Sequence, residues 1–281
     1  MKLRQRLAVK YIQTKFSLLS KVSKKKAAEA AFELFTTPQS RLLKAMPPIF
    51  KKAESLVLPF DGIKTQGYRW NHSTDAKKVL ILHGHESSIV NFDHYVQPMI
   101  QKGYEVLAFD APAHGLSGGK KINVVDYKNF IMEIIREYGP ITSFISHSFG
   151  GLAISLALEE LEHDESWKVV LIAPATETIR AVNNFCNFLK LDDDVKKEIE
   201  ELIIRTGNKP SSWYSVSRAA ENIKAQVLFL QDKRDALTPL SDVEPIMAKN
   251  YPNFKFIVSD GLGHRNIYKD KSSLRLITEF L

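Results

Sequence analysis

From residue 54 onward, short and mostly apolar runs alternate with longer stretches of helical period. Val79–Leu82, Tyr104–Phe109, Ile141–Ile145, Val169–Ile172, Val227–Leu230 and Phe254–Val258 are the apolar runs. Their length and lack of strict alternation suit strands buried on both faces. Helical stretches lie near 91–102, near 123–138, from about 149 and near 241–250, and a last one closes the chain. This alternation predicts an α/β architecture with a mostly parallel central sheet flanked by helices. Ahead of it, residues 55–60 and 63–70 read as a hairpin around the turn pair Asp61-Gly62.

The alternation fails in two places. Between Pro174 and Lys224 no buried strand is visible, although Asp192–Thr206 has helical character, with acids early, Arg205 late and Gly207 as a stop. Residues 175–224 therefore read as an insert. At the other end, residues 2–34 contain neither Pro nor Gly and predict a helix. Leu3, Leu7, Tyr11, Leu18 and Val22 fall on one face of it, with Arg4 and Lys15 intruding. The expected division is a helical extension over 1–50, a core over 51–174 and 225–281, and an insert over 175–224.

Composition narrows the class. The chain has 281 residues, 44% of them hydrophobic, enough for one large core. No run approaches the ~18–20 apolar residues of a membrane span, and the N-terminus has no apolar signal-peptide core. Cys186 is the sole cysteine, so no internal disulfide can form and a reducing cytoplasm is expected. Residues 1–52 hold thirteen Lys/Arg against Glu29 and Glu33, a net +11, so the rest carries −4 of the +7 total. The basic arm suits either a solvated helix packed on the body or peripheral contact with an anionic surface. Nucleic-acid binding is not expected.

Candidate chemistry begins at Ile141–Gly151, where a strand runs into Ser146-His147-Ser148-Phe149-Gly150 and then a helix. A nucleophile on so sharp a turn needs small residues two before and two after it, here Ser146 and Gly150. The helix N-terminus beneath Ser148 offers N–H groups and a positive dipole end to a developing oxyanion. The segment resembles the nucleophile elbow of the α/β-hydrolase superfamily, with Ser146 where Gly is usual. Leu82-His83-Gly84-His85 resembles the oxyanion loop of that superfamily, and Phe109–Ser117 one of its structural turns.

The resemblance implies an α/β-hydrolase fold with a helical cap insert, and a Ser, Asp, His order for the catalytic residues. His264, in Asp260-Gly-Leu-Gly-His264, is the implied base. The acid is Asp235, four residues before Pro239, or Asp232, nearer the strand end. The implied oxyanion donors are the N–H groups of His85 and Phe149. The implied activity is hydrolysis of a carboxylic ester or thioester of a small molecule through an acyl-enzyme, without cofactor. A catalytically silent ligand- or partner-binding module is the alternative.

His83, His85, His94, His114 and His147 come from different loops without metal-site spacing, so no metal is expected. His147 should line the site or bond a neighbour. Phe185, Phe188, Trp213 and Tyr214 either wall a substrate pocket or form the core of the insert.

Overall fold

A computed structural model describes residues 3–41 and 45–281; the side chains of residues 3–5, Leu3 and Arg4 among them, lie outside the described residues. The described chain forms two compact units. One comprises Pro38–Thr176 with Ser215–Leu281, and the other joins the residues through Thr37 to Glu177–Tyr214.

The larger unit holds a single eight-stranded sheet in the order β1-β2-β4-β3-β5-β6-β7-β8. The strands are β1 (Glu54–Phe60), β2 (Ile63–Trp70), β3 (Lys78–Leu82), β4 (Glu105–Phe109), β5 (Ser143–His147), β6 (Lys168–Ile172), β7 (Gln226–Asp232) and β8 (Phe254–Ser259). β1 and β2 pair as an antiparallel hairpin, and β2 lies antiparallel to β4. Every remaining pair is parallel. β4 and β5 are buried throughout, as expected of strands covered on both faces. Val79, Ile81, Val106, Ile145, Val170 and Leu228 form the middle of the core.

One register differs from the sequence expectation. The central strand runs Ser143–His147, not 141–145. Ser146 and His147 look like turn residues, yet both are buried in the strand. The Ser146 hydroxyl donates to Val170 O at 2.7 Å, which satisfies it inside the sheet.

In the smaller unit, α1 (Leu3–Val22) and α2 (Lys24–Thr36) replace the single helix expected over 2–34. Ser23 divides them. Its backbone is extended, and its side chain accepts from Lys26 N at 3.3 Å, an N-cap for α2. The order continues with α3 (Asp93–Gln101), α4 (Val124–Tyr138) and α5 (Phe149–Leu158) on the larger unit, then α6 (Thr178–Leu189) and α7 (Asp193–Gly207) on the smaller. Asp192 caps α7, accepting from Val195 N at 3.1 Å.

Residues 1–50 and 175–224 enter the sequence reading as separate pieces; in the structure their helices pack together. Phe35 on α2 meets Phe185 on α6 with ring centroids 5.0 Å apart. Gln13 on α1 donates to Phe188 O at 2.6 Å. Lys24 pairs with Asp192. Among the described residues no helix is long and apolar enough to cross a membrane.

Candidate active site

The fully buried β5 ends at His147, and the next residue turns the chain into α5. Ser148 makes that turn with φ 52° and ψ −117°, a left-handed conformation that a non-glycine residue adopts only under constraint. The constraint is tight. A Cβ on Gly150 would come within 2.7 Å of His83 O and 2.9 Å of Leu82 O, so α5 approaches β3 too closely for any side chain there. Ser148 itself stays half-buried, within reach of a ligand.

Two loops from distant parts of the chain meet this serine. The Ser148 hydroxyl donates to His264 Nε2 at 3.0 Å. His264 Nδ1–H donates to Asp235 Oδ2 at 2.8 Å. The aspartate is further fixed by the N–H groups of Leu237 and Thr238, each at 2.9 Å, and by the Thr238 hydroxyl at 2.8 Å. Burial alone would raise the Asp235 pKa, but the hydrogen bonds from His264 and Thr238 outweigh it and hold the carboxyl below its ordinary range. Asp235 is therefore ionised where it meets the imidazole.

Asp232, the other candidate acid, does different work. It accepts from Ser259 Oγ at 2.7 Å and from the N–H groups of Leu262 and Arg234 at 2.9 Å each. Burial is again overcome by these bonds, and its pKa is lowered. Asp232 thus braces the loop that carries His264 and makes no contact with the imidazole among its hydrogen bonds.

The base loop has further anchors. His147 Nε2–H donates to the His264 carbonyl at 3.0 Å. The Tyr268 carbonyl accepts from His94 Nε2 at 2.8 Å and from Tyr95 OH at 2.6 Å, both on α3. The sequence pattern assigns no role to Thr238, Tyr95 or Tyr268, and singles out His94 only as one of the histidines without metal-site spacing. The Thr in Asp235-Ala-Leu-Thr238 carries a local signal, since a hydroxyl three residues after an Asp commonly bonds back to it. The pairing of α3 with Tyr268 has no such signal.

The Leu82–His85 loop lies against the turn at Ser148. A Cβ on Gly84 would stand 3.0 Å from both Ser148 Cβ and His147 Nδ1. The His85 and Phe149 rings sit with centroids 5.8 Å apart. Their N–H groups carry no intramolecular hydrogen bond among the described residues. The Phe109–Ser117 turn borders this loop. Asp110 accepts from Ile89 N at 3.0 Å and Leu116 N at 2.9 Å, and Gly115 is required because a Cβ would fall 2.0 Å from Asp110 Oδ2.

The neighbouring histidines are committed to this scaffold. His83 accepts from Ala111 N at 2.9 Å and donates to Gly84 O at 2.8 Å. His114 accepts from Glu86 N at 3.0 Å and donates to Pro112 O at 3.0 Å. Both imidazoles use both nitrogens on the protein, which leaves neither a lone pair for a metal. Burial, with neighbouring histidines, pushes the His114 pKa down to about 2.

The remaining aromatic candidates lie in the smaller unit. Phe185 packs on Phe35, Trp213 lies 5.4 Å from Tyr214, and Phe188 is exposed. Phe185 and Trp213 thus contribute to the packing of that unit, one of the two roles the sequence leaves open.

The family model described as serine aminopeptidase, S33, matches residues 73–225. The chain belongs to this family. It carries the α/β-hydrolase fold common to its solved relatives. The esterase Pf2001 of Pyrococcus furiosus superposes with a TM-score of 0.65 at 23% identity, over 86% of this chain and 97% of that one. Est1E from Butyrivibrio proteoclasticus, solved with ferulic acid bound, superposes with a TM-score of 0.61 at 18% identity, over 80% and 95%. In sequence, a pimeloyl-[acyl-carrier protein] methyl ester esterase of Legionella pneumophila is 24% identical over 200 residues, 59% of this chain and 79% of the relative.

Proposed function

We propose that this chain is a serine hydrolase that cleaves a carboxylic ester or thioester of a small molecule. The observation that carries the reading is the continuous relay from Ser148 Oγ through His264 to Asp235, at 3.0 and 2.8 Å. Ser148 attacks the acyl carbonyl while His264 takes its proton. Asp235 holds the imidazole in the tautomer that leaves Nε2 free to accept, and stabilises the imidazolium once formed. The N–H groups of His85 and Phe149 receive the oxyanion, each worth about 3 kcal/mol of barrier. The leaving alcohol or thiol takes the proton from His264. Water then releases the acid by the same route in reverse.

Ester chemistry is favoured over peptide chemistry because the sequence relatives are named methyl ester esterases and the fold neighbour Pf2001, solved in three crystal forms, is named an esterase. One fold neighbour is named a thioesterase domain, which supports keeping both acyl bonds in the reading. The proposed compartment is the reducing cytoplasm, supported by the one cysteine, Cys186, which is buried and free.

A fluorophosphonate probe tests the reading directly. It should label the wild type at Ser148 and leave Ser148→Ala untouched. A panel of p-nitrophenyl esters of rising chain length, with the matching thioesters and amino-acid p-nitroanilides, should then show turnover on the acyl esters. A folded wild type that stays unlabelled is a silent binding module, and turnover of the anilides alone makes it a peptidase.

A further inference from the structure

The apolar stripe of α1 does not face the protein. Leu7 is 60% exposed, Tyr11 72%, Leu18 60% and Val22 81%, whereas Phe16 on the opposite face is 3% exposed. At 100° per residue these four side chains lie within a narrow sector. Ile12, Phe16, Leu19 and Ser20 supply the buried and half-buried side. The helix thus has two apolar faces, one used for packing and one presented to solvent along about 23 Å, from Leu7 to Val22. Four large apolar side chains aligned on one exposed helix face are not the scattered surface residues of an ordinary protein.

The flanks of the stripe identify its partner. Arg6, Lys10, Lys15 and Lys21 are all exposed, and α1 contains no Asp or Glu. Acids first occur at Glu29, on α2. An apolar strip whose charged neighbours on the helix are all cations, with Thr14 and Ser17 as uncharged polar neighbours, matches an anionic lipid headgroup layer, where the strip enters the acyl boundary and the ammonium groups meet phosphate. A nucleic acid would use the cations but leave the strip in water. A second copy of the chain would bring two cationic helices together. We propose that α1 is a peripheral membrane-docking surface for anionic phospholipid, with Leu7, Tyr11, Leu18 and Val22 as the apolar contact and Lys10, Lys15 and Lys21 as the charge contact. The short strip and the intruding Lys15 make the association shallow and reversible, without insertion.

Co-sedimentation of the full chain with phosphatidylcholine vesicles, with and without phosphatidylglycerol, reads this directly and does not depend on catalysis. The wild type should bind the phosphatidylglycerol vesicles and not the neutral ones, and added salt should release it. Lys10→Gln with Lys15→Gln and Lys21→Gln should weaken binding by roughly tenfold or more. Leu7→Gln with Leu18→Gln, which keeps every charge, should weaken it comparably. All five positions are exposed, so circular dichroism and turnover of a water-soluble ester should match the wild type in both variants. Absence of vesicle binding, equal binding to neutral vesicles, or binding undiminished in the Leu7/Leu18 variant would each overturn the proposal. So would retention of a short DNA duplex or an acidic acyl carrier protein in place of the vesicles.

Discussion

His147 and His264 are joined by a side-chain to main-chain hydrogen bond, Nε2–H to carbonyl oxygen at 3.0 Å, with their rings 4.7 Å apart. A carbonyl can only accept, so His147 carries its proton on Nε2, and its buried Nδ1 is left without a partner. Burial and the nearby His264 push the His147 pKa down to about 3, which keeps the ring neutral. The residue just before the nucleophile therefore ties the loop of the base to the end of β5. His147→Phe keeps a ring of similar shape and loses the bond. We expect kcat to fall about tenfold, the cost of losing one positioning hydrogen bond, with KM little changed. Steady-state kinetics on a p-nitrophenyl ester check this; an unchanged kcat means that packing alone holds the loop.

The two aspartates near the end of β7 should separate cleanly. Asp235→Asn leaves His264 without its orienting anion, and kcat should drop on the order of 10⁴-fold. Asp232→Asn turns one of the two oxygens that accept from the loop into an amide donor facing those groups, and should cost about 1–3 kcal/mol of stability. Its effect on kcat should be far smaller. Parallel kinetics and urea unfolding of the two variants decide it, and the reverse ranking in kcat would move the acid to Asp232.

Stability should fall early on acidification. Burial depresses the pKa of His83, His114 and His147 below the ordinary 6.5, the latter two to about 2 and about 3. Below about pH 6.5 the unfolded chain takes up protons on these rings and the folded chain does not. The unfolded state thus holds more protons, so unfolding free energy declines as pH falls through this window, by up to about 1.4 kcal/mol per pH unit for each ring. The depressed Asp235 and Asp232 add their loss only below about pH 4, as they protonate. Denaturant titrations from neutral pH to about pH 5 should show the decline, with a shallower slope in His147→Phe. A flat profile over that range would contradict it.

Ser146 occupies a position where the superfamily pattern has glycine, and its hydroxyl is used by Val170 O. Ser146→Gly should leave the elbow and kcat intact. It should cost about 1–2 kcal/mol, from the lost buried hydrogen bond and the added backbone freedom in a central strand. Thermal unfolding alongside kinetics separates the two effects; a large fall in kcat would give the hydroxyl a role at the site.

What the chain reveals before folding follows physical range. The strands of the sheet announce themselves because a doubly covered strand needs a local apolar run, and Val169–Ile172 is one. The elbow at Ser148 is legible because its strain limits Gly150 locally. The placement of β5 is less so, since Ser146 and His147 are polar residues whose hydrogen bonds go to Val170 and His264, on another strand and a distant loop. The face of α1 is misleading in another way. Its most regular apolar stripe invites assignment to the core, yet Phe16 and its neighbours face inward, and the stripe lies outside. Which of two apolar faces packs depends on α2 and α6, and helical period alone carries no information about them.

The contact between Phe35 and Phe185 has a consequence for how the protein is made. A helix of 13 residues such as α2 is marginal alone in water, and most of the stability of a longer one such as α1 comes from packing. Their partner helix α6 leaves the ribosome roughly 140 residues later, a delay on the order of ten seconds or more at ordinary elongation rates. Throughout that interval the nascent chain carries a basic, apolar-striped segment without α6 and α7 to pack on. Residues 3–36 are thus synthesised well before the helices of their own unit, and settle only once those helices exist.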